Sequence, residues 1–264
     1  MLKTPISYYG GKQRLAKTII SLIPDHTLYA EPFLGGGAVF WAKPPSKIEV
    51  INDVNEELIN FYFVSKHHYK ELEKLIQSTL HSRTQHREAQ VIYKTPSLFT
   101  KIQRAWAVWV LASQSYGSIL TASWGSTKKN NSMALKIFNK KKSFIKDYTD
   151  RLEKVQIENT YALRIIRYKD SEDTFFYCDP PYINSDQGHY EGYTKENFKA
   201  LLEALKNIKG KFLLSSYPSS LLDEYTKENG WCQKKMSSQV AVATRNKKPN
   251  KTKIEVLTAN YPLD

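Results

Sequence analysis

A chain of 264 residues is long enough for one large domain, or for one domain with an insertion. It carries 39 lysines and arginines against 26 aspartates and glutamates, a net charge of +13 that predicts a polyanionic partner: nucleic acid or, as the alternative, an anionic membrane surface. The longest apolar run, AWAVWVLA at residues 105 to 112, is too short to span a bilayer, and the first residues lack the apolar core of a signal peptide. Cys178 and Cys232 are too few for a disulfide framework or a zinc cluster, so the composition favours a cytosolic protein without a metal site.

Strand and glycine signals dominate the first sixty residues. Apolar residues at helical spacing predict a helix over residues 12 to 22, and TLYAE then predicts a strand. GGGAVFWA predicts a tight turn that opens a helix, KIEVIND predicts a second strand, and residues 54 to 80 predict helix in one or two segments.

A shift in composition marks the middle of the chain. His, Lys, Gln and Ser become frequent around a tryptophan-bearing helix near residues 101 to 112, and the basic run KKNNSMALKIFNKKKSFIK follows. This predicts a mainly helical inserted domain in which the basic run forms a hairpin. The predicted domains are 1–64 and 160–264, the two parts of an α/β domain, with the insert at 65–159.

The segment TFFYCDPPY raises the question of what its prolines do. TFFYC predicts a buried strand that ends at Asp179, because Pro180 and Pro181 cannot donate to a sheet ladder and hold φ at about −65°. The acid is then held on a stiff turn, at the strand end where open α/β sheets place their ligands; a plain proline-rich turn is the alternative. A helix capped by Thr194, the strand KFLLSSY and a terminal hairpin with a long basic connection follow, so we expect a mostly parallel sheet with one antiparallel hairpin at its end.

Residues 29 to 53 predict a pocket for a nucleoside cofactor. Glycines allow close backbone approach to a ligand, and Asp53, 16 residues after Gly37, ends the next strand, where an acid can accept from ribose hydroxyls. Ala38 and Val39 follow the glycines in place of the Lys and Ser or Thr of a P-loop, so ATP is disfavoured. A nicotinamide dinucleotide remains possible, but Glu31 before the glycines would repel a pyrophosphate and suits a sulfonium or ammonium group. This favours S-adenosylmethionine, with a glycine turn that binds nothing as the alternative.

Five motifs carry a resemblance to a known family: SYYGGKQRL, EPFLGGGAVFW, NDVN, DPPY and FLLSSY. In this order they resemble the Dam-type DNA adenine N6-methyltransferases, the D12 class, over residues 7 to 62 and 160 to 260. The resemblance implies a Rossmann-like, S-adenosylmethionine-dependent methyltransferase sheet and a target-recognition domain at the place of the insert. The cofactor-binding residues that it implies are Tyr8, Gly11, Lys12, Glu31, Phe33, Gly35, Gly37, Asp53 and Asp179. Some relatives carry Trp in place of Tyr8, although any aromatic ring could pack against the cofactor.

The prolines also fit the chemistry of this family. An adenine amine is a poor nucleophile because its lone pair is delocalised, and acceptors aimed at its two N–H bonds favour a tetrahedral nitrogen aligned with the methyl group. The predicted catalytic residues are Asp179 and Pro180 as acceptors, Pro181 to stiffen the turn, and Tyr182 to stack on a base flipped out of the duplex. The expected supporting residues are Tyr190 or Tyr193 as a second wall, with Phe212, Ser215 and Tyr217 behind the site.

Two basic segments are predicted to contact DNA phosphates. The candidates are Lys128, Lys129, Asn139, Lys140, Lys141 and Lys142 in the insert, and Arg245, Lys247 and Lys248 near the C-terminus.

The resulting hypothesis is a site-specific enzyme that methylates the N6 amine of adenine in double-stranded DNA, in the cytoplasm of a bacterial or phage-infected cell, near the nucleoid. The sequence leaves the oligomeric state open and favours a monomer over a dimer. A separate restriction endonuclease is a conceivable partner, since the chain shows no nuclease motif. The alternatives are methylation of cytosine N4 or of adenine in RNA, and a DNA-binding protein on a decayed methyltransferase scaffold.

Overall fold

The computed structural model of the chain describes residues 2–128, 131–182, 193–239 and 252–263, with the backbone alone at 237–239 and 252–253. These residues divide into two compact units. Unit 1 comprises residues 1–17, 35–45 and 53–159, and unit 2 comprises 18–34, 46–52 and 160–264. The predicted domain boundaries at 64/65 and 159/160 stay a prediction.

Seven strands form one sheet in the order β3-β2-β1-β4-β5-β7-β6. β1 pairs in parallel with β2 and β4, and β4 with β5, whereas β7 runs antiparallel to both β5 and β6. This confirms the expected parallel sheet with an antiparallel terminal hairpin. The strands are β1 (Leu28–Glu31), β2 (Ile48–Asn52), β3 (Val155–Glu158), β4 (Thr174–Cys178), β5 (Lys211–Ser216), β6 (Cys232–Gln239) and β7 (Thr252–Ala259).

Eleven α-helices lie within the described residues. Between Val54 and Leu80 the structure has two helices, as one form of the prediction had it, and the first helix begins at Ala16 rather than at residue 12. None of the helices among the described residues has the length and apolar character needed to cross a membrane. The helices are α1 (Ala16–Ser21), α2 (Ala38–Ala42), α3 (Glu56–His67), α4 (Tyr69–Ser78), α5 (Arg83–Lys94), α6 (Lys101–Gln114), α7 (Ser132–Ser143), α8 (Asp147–Arg151), α9 (Ala162–Lys169), α10 (Lys195–Lys206) and α11 (Ser220–Asn229).

The core of unit 2 explains why its central strand is aromatic. All five residues of β4 are buried, as expected for a strand covered on both faces. Helix α10 begins at a capping box in which Thr194 and Asn197 exchange hydrogen bonds, which confirms the predicted cap. Its apolar face joins α9 and the sheet in one buried cluster that includes Phe176, Leu202 and Phe212.

Unit 1 is built around α6, which packs against α3 and α5. The helix starts with a capping box between Thr100 and Gln103, and its residues from Ala107 to Gln114 are all buried. Arg104 on α6 holds α3 through its Nη2, which donates to the buried Glu57 at 2.5 Å and to the exposed Glu56 at 2.8 Å.

The predicted basic hairpin is wrong, since residues 132 to 143 form helix α7. Ala, Leu and Lys are strong helix formers, and Ile137 supplies the one buried anchor of the helix. The hairpin prediction rested on the high charge of the segment and left this helical propensity out of account.

Candidate active site

The candidate residues fall into two groups, one in each unit, and each group is described by itself. In unit 2 the carboxyl ends of β1, β4 and β5 share one edge of the sheet because the three strands are parallel neighbours. Glu31 is the last residue of β1, Asp179 directly follows β4, and Ser215 lies near the end of β5. Three polar side chains from segments far apart in the sequence are thus placed at the same edge.

The turn at Asp179 to Tyr182 returns a tyrosine to that edge. The Tyr182 hydroxyl lies 3.1 Å from Asp179 Oδ1 and 3.2 Å from Ser215 Oγ. Its ring meets the ring of Tyr217 edge-on, with centroids 4.4 Å apart. Burial, together with the charge of Asp179, raises the pKa of Tyr182 well above its ordinary value, so the phenol keeps its proton and acts as a donor.

Glu31 is a buried carboxylate, with only 2% of its surface exposed. The hydroxyl of Tyr29, two residues earlier on the same face of β1, donates to Glu31 Oε1. Burial and then the charge of Glu31 raise the pKa of Tyr29, so this phenol is a donor as well. A buried carboxylate held in this way suits a cationic ligand group. Nearby, the predicted residue Phe33 meets Tyr193 edge-on at 6.4 Å between centroids.

In unit 1 the glycines surround Tyr8. A Cβ atom added to Gly36 would lie 2.9 Å from Tyr8 Cβ, and one added to Gly35 would lie 3.1 Å from Tyr8 Cδ1. The absence of side chains at these two positions therefore makes room for the Tyr8 ring. Gly35 has φ +50°, a conformation that also favours glycine.

Asp53 holds the glycine turn in place. Its Oδ2 accepts from the backbone N–H of Gly35 at 2.8 Å, and its Oδ1 accepts from that of Asn55 at 2.9 Å. Burial raises the pKa of Asp53, against the lowering effect of these backbone donors. Each carboxylate oxygen has a second acceptor position, so the predicted contact with a ribose hydroxyl stays a prediction that this geometry permits.

Two of the remaining predicted cofactor residues of unit 1, Lys12 and Gly11, donate hydrogen bonds to backbone carbonyls of the same segment. Lys12 is buried, and its Nζ donates to the Gly10 carbonyl at 2.9 Å. Gly11, which is exposed, donates its N–H to the Tyr8 carbonyl at 3.1 Å. Gly37 has φ +65° at the start of α2.

The basic side chains of α7 differ in how they are placed. Lys140 Nζ donates to Ser113 Oγ at 3.3 Å, and burial, with a smaller effect of Lys136, lowers the pKa of Lys140 to about 7. Lys141 Nζ donates to the Gln77 carbonyl at 2.9 Å, and Lys142 Nζ lies 4.3 Å from the centroid of the Phe138 ring. Lys128 and Asn139 are exposed. The predicted contacts at Lys129, Arg245, Lys247 and Lys248, and the wall at Tyr190, lie outside the described residues.

Sequence reasoning named most side chains at the sheet edge but missed Tyr29. The signal was present, because residues two apart on a strand share a face and Tyr29 precedes the candidate Glu31 by two. Within the described residues no group of three or more His, Cys, Asp or Glu side chains is placed to hold a metal ion.

A parallel sheet closed by an antiparallel hairpin, with acids at its carboxyl edge, defines a Rossmann-like methyltransferase class. Within this class, the family model described as "D12 class N6 adenine-specific DNA methyltransferase" matches residues 8–240. The chain belongs to this family, which confirms the predicted adenine-specific DNA methyltransferase.

The chain is also similar to individual proteins. The type II methyltransferase M1.LlaDCHI of Lactococcus lactis subsp. cremoris is 27% identical over 235 residues, which cover 81% of each chain. The DNA N-6-adenine-methyltransferase of Escherichia phage P1 is 43% identical over 53 residues, or 20% of this chain and 7% of the phage protein. Among solved structures, a precorrin 8w decarboxylase of Methanobacterium thermoautotrophicum aligns with 98% of each chain at a TM-score of 0.43 and 9% identity.

Proposed function

We propose that Asp179 and Pro180 hold the adenine amine for methylation and that S-adenosylmethionine is the methyl donor. The observation that carries the proposal is the placement of the Asp179 carboxylate, directly after buried β4, beside the donor hydroxyl of Tyr182. S-adenosylmethionine, when bound, would supply the methyl group from its positively charged sulfur, which would be left as a neutral thioether when the sulfur–methyl bond breaks.

The carboxylate and carbonyl act on the amine as acceptors. Asp179 and the Pro180 carbonyl would each accept one N–H of the amine, which localises the nitrogen lone pair and directs it toward the incoming methyl group. Asp179 also stabilises the positive charge that develops on the nitrogen, and the amine proton leaves afterwards to the carboxylate or to water. Pro180 and Pro181 keep the two acceptors at a fixed separation because their φ angles are restricted.

The charge of the candidate cofactor residues fits a cofactor that carries positive charge. Buried Glu31, held by Tyr29, would attract the cationic end of the cofactor. In unit 1, the family resemblance assigns cofactor contacts to Tyr8, Gly35 and Asp53, and Asp53 has the acceptor capacity that ribose hydroxyls need. Tyr182 would stack on the flipped adenine through its ring.

The test is sequencing of N6-methyladenine in DNA from a methylation-free host that expresses the chain. We expect one modified sequence motif with the parent protein and none with Asp179→Ala, which should still bind duplex DNA. Modification by Asp179→Ala at the parent level would overturn the role of Asp179. Unmodified DNA with a protein that binds S-adenosylmethionine would favour another amine, such as cytosine N4 or adenine in RNA.

We also propose that the enzyme works in the cytoplasm, as a monomer, beside a separate restriction endonuclease. The similarity to a protein named a type II methyltransferase supports the last point. Plasmid modified by this chain should then resist an endonuclease of the same specificity, and a plasmid that is still cut would contradict the pairing.

A further inference from the structure

Ser215 is a fully buried hydroxyl at the edge of the sheet where Asp179 lies. It has 0% exposure, and its Oγ lies 3.2 Å from the Tyr182 hydroxyl, which in turn lies 3.1 Å from Asp179 Oδ1. The next residue, Ser216, is nearly as buried at 3% exposure, but its Oγ has no hydrogen-bond partner among the described residues. Of the two adjacent serines of β5, Ser215 therefore has a hydroxyl partner at the candidate site and Ser216 has no partner among the described residues.

We propose that the hydroxyls of Ser215 and Tyr182 are positioning groups for the Asp179 carboxylate. Ser215 donates to the Tyr182 oxygen, and Tyr182 donates to Asp179 Oδ1. This proposal rests on the proposed function, in which Asp179 accepts from the adenine amine.

The direction of the two hydrogen bonds follows from donor counting. An ionised carboxylate only accepts, and a phenol has one proton, so the Tyr182 proton goes to Asp179. The Tyr182 oxygen still has acceptor capacity, and the Ser215 hydroxyl, 3.2 Å away, can donate to it. The raised pKa of Tyr182 agrees with a phenol that stays protonated as the donor.

The two prolines do not fix the side-chain orientation of Asp179, and the two hydroxyls can. Pro180 and Pro181 restrict the backbone of the turn but not the side-chain rotation of Asp179, and catalytic groups must be held close to the productive orientation. A hydrogen bond to a charged acceptor is stronger than one between neutral groups, and it favours the ionised form of that acceptor. Tyr182 therefore sets both the rotation and the charge of the carboxylate, beyond any stacking of its ring.

The experiment compares steady-state methylation of duplex DNA by the full chain and four variants. Tyr182→Phe and Ser215→Ala each remove one hydroxyl, the double variant removes both, and Ser216→Ala is the matched control on the same strand. We expect kcat to fall about tenfold in Tyr182→Phe, the effect of one hydrogen bond to a charged group, and less in Ser215→Ala. The KM values for DNA and for S-adenosylmethionine should stay near those of the parent, and Ser216→Ala should match the parent.

The pH profile separates positioning from a merely structural effect. Losing a donor disfavours the ionised carboxylate, so the acidic limb of kcat should move to higher pH in Tyr182→Phe and Ser215→Ala. The double variant should resemble Tyr182→Phe alone, since Ser215 acts through that hydroxyl. If Ser215→Ala fails to fold, Tyr182→Phe carries the same test.

Two outcomes separate the inference from the proposed function. If Tyr182→Phe and Ser215→Ala keep the parent kcat and acidic limb while Asp179→Ala is inactive, the positioning role is wrong and the role of Asp179 stands. If Asp179→Ala itself methylates at the parent rate, the proposed function fails and takes this inference with it.

Discussion

At the edge of the sheet, Glu31 combines a charged side chain with nearly complete burial. Its carboxylate is buried and accepts from Tyr29, a neutral hydroxyl on the same strand. A cationic ligand would find a charge of opposite sign in surroundings that screen it weakly.

We therefore expect Glu31→Gln to weaken the binding of S-adenosylmethionine about tenfold or more, because the amide keeps the shape and loses the charge. Isothermal titration calorimetry on the full chain measures this. Glu172→Gln, at an exposed position, is the control and should bind like the parent. An unchanged affinity in Glu31→Gln would remove Glu31 from the cofactor site.

At the scale of elements, α7 shows that a basic segment is not uniformly exposed. Lys140 extends its amine to Ser113 on α6, whereas Lys142 lies on the ring of Phe138 on its own helix. The cost of holding the Lys140 amine away from water appears in its pKa, which burial lowers to about 7.

This shift predicts a pH dependence of stability. Because the folded-state pKa lies below the unfolded value, the unfolded chain binds more protons between about pH 7 and pH 10, and the free energy of unfolding should rise with pH in this window. Lys140→Met should flatten that rise in urea unfolding curves, whereas Lys142→Met should leave it in place. If the free energy of unfolding rises with pH equally in Lys140→Met and in the parent, the Lys140 amine is solvated in the folded protein.

At the scale of the whole molecule, the net charge of +13 fits the DNA substrate of the family. The structure adds a distinction among the lysines of unit 1. Lys128 is exposed, but Lys141 already donates to the Gln77 carbonyl. A lysine that already donates to its own chain must give up that hydrogen bond to bind a phosphate, so its contribution to DNA affinity is smaller.

DNA affinity should fall steeply with salt, with a slope that reflects the number of phosphates neutralised. We expect Lys128→Gln to reduce the slope of log K against log salt by about one, and Lys141→Gln to reduce it less. Fluorescence anisotropy with a labelled duplex between about 50 and 200 mM salt, over which the Debye length falls about twofold, measures both. Equal reductions in the two variants would contradict the distinction.

Much of the architecture was predictable because its signals are local. Strand formers ending at Pro180 and Pro181 place the end of β4, and the cap at Thr194 was confirmed for the same reason. The expected parallel sheet with its terminal hairpin was confirmed as well. The basic run at residues 132 to 143 was misjudged, because its charge suggested a DNA-tracking hairpin while its Ala, Leu and Lys favoured helix.

The sequence by itself determined the family and the order of its motifs, since residues such as Asp179 to Tyr182 are contiguous and their backbone constraints act within the segment. Only the tertiary structure decided which side chains meet: Tyr182 with Ser215, 33 residues apart, and Lys140 with Ser113, 27 residues apart. Such contacts depend on which strands and helices become neighbours and on the rotamers that packing then permits, and neither is written in the spacing of residues along the chain.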